Sequence, residues 1–201
     1  MANLLALDTT NAQGSLALMR DGKLIEQVVV DAPDGFGHIL FAEIGALLDR
    51  HSLKVRDIDC FAAAAGPGSF TGVRVGLAAI KGLADAARRK CVAVSNLQAV
   101  AWFGTGKLRA AWVDARRGEI YGAVYDAQLN LVQEERVAPR ALWWSEVPEG
   151  AEEIAQTEPL AQAIAAIAWK KFSRGEAQDP AEIDANYVRR SDAEMMWRDR
   201  A

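Results

Sequence analysis

The sequence predicts an α/β protein built as two topologically related halves. Three observations carry this prediction. Short apolar runs at residues 3–8, 15–19 and 24–30 alternate with turn residues and are followed by helical periodicity. The three-run pattern begins again near residue 110. In the first half, a glycine-rich turn joins a buried strand to a long helix.

Taken in order, Asn3 to Asp8 reads as a strand, and Thr9-Thr10-Asn11-Ala12-Gln13-Gly14 supplies a turn. Ser15 to Met19 leads into Asp21-Gly22, a two-residue hairpin signal, and Leu24 to Val30 completes a meander. After the loop Asp31 to Gly37, Leu40, Ile44, Leu47 and Leu48 recur at helical spacing, with the helix ending near His51. Ile58 to Ala65 is a buried strand, and the long helix beyond the glycine turn reaches Lys90. Cys91 to Val94 is a further strand, and Ser95 caps a helix through Phe103. In the second half, Ala110 to Asp114, Glu119 to Tyr125 and Leu129 to Val137 read as strands, and Pro159 to Arg174 as a helix. Residues 138–158 show no strand pattern, only Trp143-Trp144 and a Pro/Gly/Glu stretch, so the second half is expected to be shortened. This places two lobes at residues 1–105 and 106–201, with Pro180 to Ala201 expected to be weakly structured.

The 201 residues are 51% hydrophobic and 25% charged, enough to bury a core without staples, so disordered, collagen-like and disulfide-scaffold classes are excluded. A net charge of −4 argues against a dedicated nucleic-acid binder, and the pairs Arg88-Arg89, Arg116-Arg117 and Arg189-Arg190 read as solvated faces. Cys60 and Cys91 lie in strand-like runs and read as buried, reduced thiols. The first apolar run is broken by Asp8 and lacks a basic flank, so it is not a signal peptide, and no run approaches the ~18 residues of a membrane span. A cytoplasmic protein without membrane contact is expected.

The most informative segment is Gly66-Pro67-Gly68-Ser69-Phe70-Thr71-Gly72-Val73-Arg74-Val75-Gly76-Leu77. Glycine on either side of Pro67 suits a tight turn, and Ser69 or Thr71 can cap the helix that follows. Such a turn can bind anions, but a structural turn is the favoured reading. No Lys-Ser or Lys-Thr follows the glycines, so a Walker loop is excluded; Pro67 stands where a nucleophile elbow wants glycine. With only His38 and His51 in the chain, a hydrolase triad is not expected. On the long helix, Val73, Leu77, Ile80 and Ala84 suit sheet packing, Arg74, Lys81, Asp85 and Arg88 face water, and Gly72, Gly76, Ala79, Gly82 and Ala86 form a small-residue face. His38, Ala42, Gly45 and Asp49 form a similar face on the first helix. These faces suit close approach of another helix, within the fold or from a partner.

GPGSFTGVRVG, together with LLALDTT near the start, Val113-Asp114-Ala115-Arg116-Arg117-Gly118-Glu119-Ile120-Tyr121 and the late Asp179-Pro180…Tyr187-Val188-Arg189, resembles the TsaB (YeaZ) family of bacterial threonylcarbamoyladenosine biosynthesis proteins. The resemblance implies a duplicated actin-like (ASKHA, RNase H-like) fold of two βββαβα-type lobes, the C-terminal one shortened. In catalytic relatives such as TsaD, a first-hairpin Asp-Thr segment holds phosphates and a metal, and a His-x-x-x-His helix binds the metal. Here Asp8 and Thr9 occupy the hairpin position and Asp114 is a candidate to face them across a remnant cleft, but Ala42 stands four residues after His38. One imidazole on a helix face makes no metal site, so neither metal nor cofactor is expected. The adenosine-clamping glycine loop is also missing: after Gly122 only Gly150 and Gly175 remain.

The resemblance therefore implies a non-catalytic subunit that pairs with TsaD, which threonylcarbamoylates the adenosine following the anticodon in tRNA. TsaE joins through that pair, tRNA is contacted only indirectly, and a homodimer uses the same surface. His38, Ala42, Gly45, Gly72, Gly76, Ala79 and Gly82 are the expected interface residues. The alternative is an autonomous ASKHA-type ATP-dependent enzyme or a glycoprotease-like metallopeptidase.

Overall fold

The computed structural model describes residues 1–156 and 159–188, so Arg189 and the last part of the charged C-terminal stretch lie outside the described residues. The first sheet contains β1 (Asn3–Asp8), β2 (Gln13–Arg20), β3 (Lys23–Asp31), β4 (Cys60–Ala64) and β5 (Lys90–Val94) in the order β3-β2-β1-β4-β5. β1 runs antiparallel to β2 and parallel to β4, which is parallel to β5. The β2–β3 turn is formed by Asp21 and Gly22 at φ 48° and 77°, the primed geometry that matches strand twist.

The second sheet repeats the pattern. β6 (Leu108–Arg116), β7 (Glu119–Asp126), β8 (Leu131–Pro139) and β9 (Glu152–Ala155) lie in the order β8-β7-β6-β9, with β6 antiparallel to β7 and parallel to β9. The two orders correspond term by term, and the second sheet is one strand shorter. The expectation of no strand in residues 138–158 is overturned by β9. Two glutamates in four residues hide it from a propensity reading; pairing with β6, from Arg109↔Glu152 to Trp112↔Ala155, sets it in place. The same region forms α4 (Arg140–Ser145). Trp143 on α4 is fully buried with Ala110, Ile120, Val124 and Ala138, closing the outer face of the second sheet. Gly122 makes room for it, since a Cβ there would lie 2.3 Å from the indole. Trp144 packs edge-on against Trp143 at 4.7 Å.

Both faces of the first sheet are covered, which is why LLAL reads as an unbroken apolar run rather than an alternation. Leu5 and Leu7 pack with α1 (Leu40–Arg50) and α2 (Phe70–Ala87), while Leu4 and Ala6 face a second core containing α5 (Ala161–Ser173). α5 follows the second sheet in sequence yet packs on β1, β2 and β4. α3 (Asn96–Ala101) follows the first sheet yet packs on β6 and β7, and α3 and α5 touch. Each half thus takes an inner helix from the other.

Cys60 and Cys91 lie on adjacent strands one register step apart, Cys60 opposite Lys90 and Phe61 opposite Cys91, so their thiols enter different cores. Burial pushes the Cys60 thiol up to about 12 and the Cys91 thiol up to about 11. Residues 176–188 carry no regular element, but they are anchored. Gln178 exchanges two 2.9 Å backbone hydrogen bonds with Cys91, Ile183 is buried in the first half, and the Asn186 N–H donates to the Ala65 carbonyl at 2.8 Å.

Candidate functional site

The glycine motif seats α2 on the turn between β1 and β2. A Cβ at Gly68 would lie 2.8 Å from Thr10 Cβ, one at Gly72 2.0 Å from the Thr9 carbonyl oxygen, and one at Gly76 2.5 Å from Thr9 Oγ1. Thr9 Oγ1 donates to the Gly72 carbonyl at 2.7 Å, and the Ser69 N–H donates to the Thr10 carbonyl at 2.8 Å. Ser69, rather than Thr71, caps α2: its hydroxyl accepts from the Gly72 N–H at 3.2 Å. The Gly66–Pro67 peptide is cis. These contacts give the turn a structural role, packing α2 against the β1–β2 connection.

Asp8 sits at the base of this arrangement, 2% exposed. Its Oδ1 accepts from the Thr10 N–H at 2.8 Å and from Thr10 Oγ1 at 2.6 Å. Thr10 Oγ1 in turn accepts from Asn96 Nδ2 at 2.7 Å, and Asn96 Oδ1 accepts from the Gly66 N–H at 3.0 Å. Burial raises the Asp8 carboxyl above its ordinary value, and the two Thr10 hydrogen bonds oppose that rise.

Asp8, Thr9 and Asp114 all line one cleft of about 1190 Å³ between the halves, together with Arg116 and Asn186. Asp114 is exposed, and its Oδ1 accepts from the Arg116 N–H at 2.8 Å, holding a turn in which Arg116 and Arg117 adopt φ 65° and 57°. Among the described residues, no group of three or more His, Cys, Asp or Glu is placed to hold a metal ion. Glu135 was not anticipated. It accepts from Ser95 Oγ, from Tyr125 Oη and from Asn186 Nδ2, each at 2.5 Å, joining the cap of α3, the second sheet and the returning chain. Burial first, and then Glu135, push the Tyr125 hydroxyl well above the ordinary phenol range. A lone glutamate in an edge strand carries no sequence signal for such a junction.

The expected interface residues separate into two groups. His38 and Ala42 are exposed, His38 in a short 3-10 turn (Phe36–His38) ahead of α1. Gly45 and Gly82 have open space where a Cβ would project, and Ala79 lines a groove. Gly72 and Gly76 are buried against Thr9 and Leu7, so they are corrected out of the interface set: internal packing, not a partner, requires their small size. The groove, about 270 Å³, is formed by Phe36, Gly37, Leu40 and Phe41 on one side and Val75, Ala78 and Ala79 on the other. Phe41 is 59% exposed. On the first turns of α2, the Arg74 guanidinium lies 3.5 Å from the Phe70 ring centroid, and its Nε donates to the Tyr187 hydroxyl at 3.1 Å. Sequence reasoning missed Phe41; its signal is an aromatic on the helix flank next to the Leu40, Ile44, Leu47 stripe.

Comparison with known proteins gives a consistent picture. Residues 35–180 match the family model described as TsaD, tRNA N6-adenosine threonylcarbamoyltransferase. The tRNA threonylcarbamoyladenosine biosynthesis protein TsaB of Escherichia coli is 34% identical over 131 residues, 63% of this chain and 56% of that protein. Its Bacillus subtilis counterpart is 30% identical over 133 residues, 65% of this chain and 58% of that protein. The chain thus spans a little over half the length of these curated relatives. The solved structure of YeaZ from Pseudomonas aeruginosa superimposes with a TM-score of 0.80 at 28% identity, covering 93% of this chain and all of that one.

Proposed function

The chain belongs to the TsaB (YeaZ) branch of the family matched by the TsaD model, and on that premise we propose that it is a non-catalytic partner subunit in tRNA threonylcarbamoyladenosine biosynthesis. It pairs with TsaD through the α1–α2 face and supports threonylcarbamoyl transfer to the adenosine following the anticodon. TsaE joins through that pair, and the same face forms a homodimer when TsaD is absent. Contact with tRNA is indirect, in keeping with a net charge of −4. The protein works in the cytoplasm; no helix among the described residues is long and apolar enough to cross a membrane.

The observation that carries this reading is the apolar groove with exposed Phe41, flanked by the open positions Gly45 and Gly82. An apolar centre that admits close backbone approach is the anatomy of a helix-mediated interface. The non-catalytic assignment draws support from Asp8, whose Oδ1 is held by Thr10, and from Ala42, which replaces a second imidazole beside His38.

The test is size-exclusion chromatography with light scattering of the chain, alone and mixed with TsaD of the same organism. A 1:1 complex is expected, lost in Ala42→Arg and Phe41→Asp with circular dichroism unchanged. A complex that survives both substitutions removes this face as the interface. Substitutions at Gly76 are unsuitable, because bulk there strikes Thr9 and tests folding instead. The cleft supports the enzyme alternative only if titration shows ATP–Mg²⁺ binding that Asp8→Asn abolishes.

A further inference from the structure

The two sheets have four outer strands, and among the described residues three of these are blunted against further pairing. Gln178 covers β5 through its two backbone hydrogen bonds with Cys91. β8 is broken by two register shifts against β7 and ends at Pro139. β9 is four residues long and carries Glu152 and Glu153. β3 differs. Its one irregularity against β2 is the extra residue Ile25, and the pairing is regular from Glu26 to Asp31. The Ala32 N–H donates to the Ala12 carbonyl at 3.0 Å, which continues that register and sets its alternation. Val30, Val28 and Glu26 therefore bond to β2, while Asp31, Val29 and Gln27 turn their N–H and C=O groups outward. Pro33, next in that outward series, has no N–H and ends the row.

We infer that β3 pairs antiparallel with β3 of a second copy of the chain, about a two-fold axis through Val29. The strand itself sets this register. Ile25 and Pro33 lie equally far from Val29, so a pair centred there matches the regular stretch with itself and places the two irregular residues opposite each other. Gln27–Asp31 and Val29–Val29 then become hydrogen-bonded pairs, each exchanging two backbone bonds. The side chains agree. Val29 is 46% exposed and meets its own copy on the axis. Gln27 shares that face, and its Oε1 accepts from the Gln162 N–H at 2.8 Å, leaving Nε2 to donate to the opposite Asp31. Asp31 Oδ1 accepts from Gln13 Nε2 at 2.9 Å, leaving Oδ2 to accept. Glu26 stands opposite Ala32 and is already matched by Arg50 and His51, so no like charges face each other. None of residues 26–32 lines the α1–α2 groove, so this contact is independent of the partner surface there.

The test starts from the full chain carrying Phe41→Asp, which removes the α1–α2 face as a source of self-association. Light scattering up to about 1 mM, the range of weak interfaces, is expected to show the mass rising toward that of two chains. Adding Val29→Pro should hold it at one chain. The lost N–H points outward, so every bond to β2 remains, and an unchanged thermal melt shows that the fold does too. Val29→Lys, which sets two ammonium groups on the axis, takes its place where proline lowers the melt. A monomer throughout that range without a change at Val29, or a dimer that survives it, overturns the proposal.

A second arm reads the register. Val29→Cys places two thiols across the axis with Cα atoms about 5.5 Å apart, inside the disulfide range, whereas two copies of Gln27→Cys lie about 14 Å apart. With oxidised glutathione, the two thiols are oxidised to one disulfide and the oxidant leaves as two reduced glutathiones. Cys60 and Cys91 are buried and do not compete. Val29→Cys is expected to give the covalent dimer at least about tenfold faster than Gln27→Cys. Equal rates, or faster closure at Gln27, overturn the pairing centred on Val29. Amide exchange of the chain with Phe41→Asp alone gives the same alternation. Rising concentration should add protection at Gln27, Val29 and Asp31 and leave Val28 and Val30 unchanged, and any other pattern overturns it.

Discussion

The same substitution at two glycines of α2 is expected to act with opposite sign. Alanine is favoured over glycine in an exposed helix interior by about 0.5–1 kcal/mol. Gly82 has nothing within 4 Å of the position a Cβ would take, so Gly82→Ala realises that gain. At Gly72 the added Cβ would lie 2.0 Å from the Thr9 carbonyl oxygen, 3.0 Å from its carbon and 3.1 Å from Thr10 Cα. All three are backbone atoms, and the Thr9–Gly72 and Ser69–Thr10 hydrogen bonds hold them in place. With no side chain to rotate away, α2 itself must move, at an overpacking cost of about 1–3 kcal/mol, plus about 1 kcal/mol for a weakened Thr9 hydrogen bond. The propensity gain is small in the first turn, so a net loss of about 2–3 kcal/mol follows. For a chain of 201 residues, each kcal/mol shifts Tm by about 2–4 °C. Thermal melts followed by circular dichroism are therefore expected to show Gly72→Ala lower by about 4–12 °C and Gly82→Ala slightly higher. A Gly72→Ala melt at or above wild type would refute the seating of α2 on the Thr9–Thr10 turn.

Three further outcomes are expected. Asp8→Asn keeps an acceptor for the Thr10 N–H and hydroxyl while removing a buried charge. Because the folded carboxyl binds its proton more tightly than the unfolded one, wild-type stability falls as pH rises from the ordinary value of 3.8 through the raised folded value. The variant should therefore be the more stable at neutral pH, with the gap closing in acid; a pH-independent gap in urea titrations contradicts the burial argument. Trp143→Ala should lose about 3–5 kcal/mol in urea unfolding. Trp143→Phe should lose much less, since the buried indole Nε1–H has no hydrogen-bond partner to forfeit; equal losses for the two would place the energy elsewhere. Finally, Cys60 and Cys91, with thiols pushed up to about 12 and about 11, should resist a thiol reagent at pH 8 until the chain unfolds. Rapid labelling of the native protein would contradict their burial.

Legibility in the sequence followed the range of the interactions. Ser69 was legible only as one of two cap candidates with Thr71, while Asp21-Gly22 and Ser95 act on backbone a few residues away, and their roles could be read directly. β9 could not: Glu152 and Glu153 do not favour a strand, and their place depends on β6, some forty residues earlier in the chain. The small-residue face of α2 was legible as a face but not as to its occupant. Spacing groups Gly72 and Gly76 with Ala79 and Gly82, whereas only the fold reveals that Thr9 sits against the first pair. Glu135 was invisible for the same reason, since Ser95, Tyr125 and Asn186 meet it from three separate parts of the chain. The Trp143-Trp144 pair drew notice by composition, but its meaning came from Gly122 on the strand beneath.

The exchange of inner helices sets a timetable for synthesis. When residue 105 leaves the ribosome, the first sheet is complete and α1 and α2 can cover one side, but Leu4, Ala6, Ala17 and Ala62 on the other side await α5. The last residue of α5 is Ser173, so about 70 more residues must be made, roughly 3–14 s at bacterial or eukaryotic elongation rates. For that interval the nascent chain presents a bare apolar sheet face, a substrate for a holding chaperone. Once α5 arrives, both sheets close around α3 and α5 together, so fragments divided at residue 105 should be aggregation-prone apart and regain structure only when mixed.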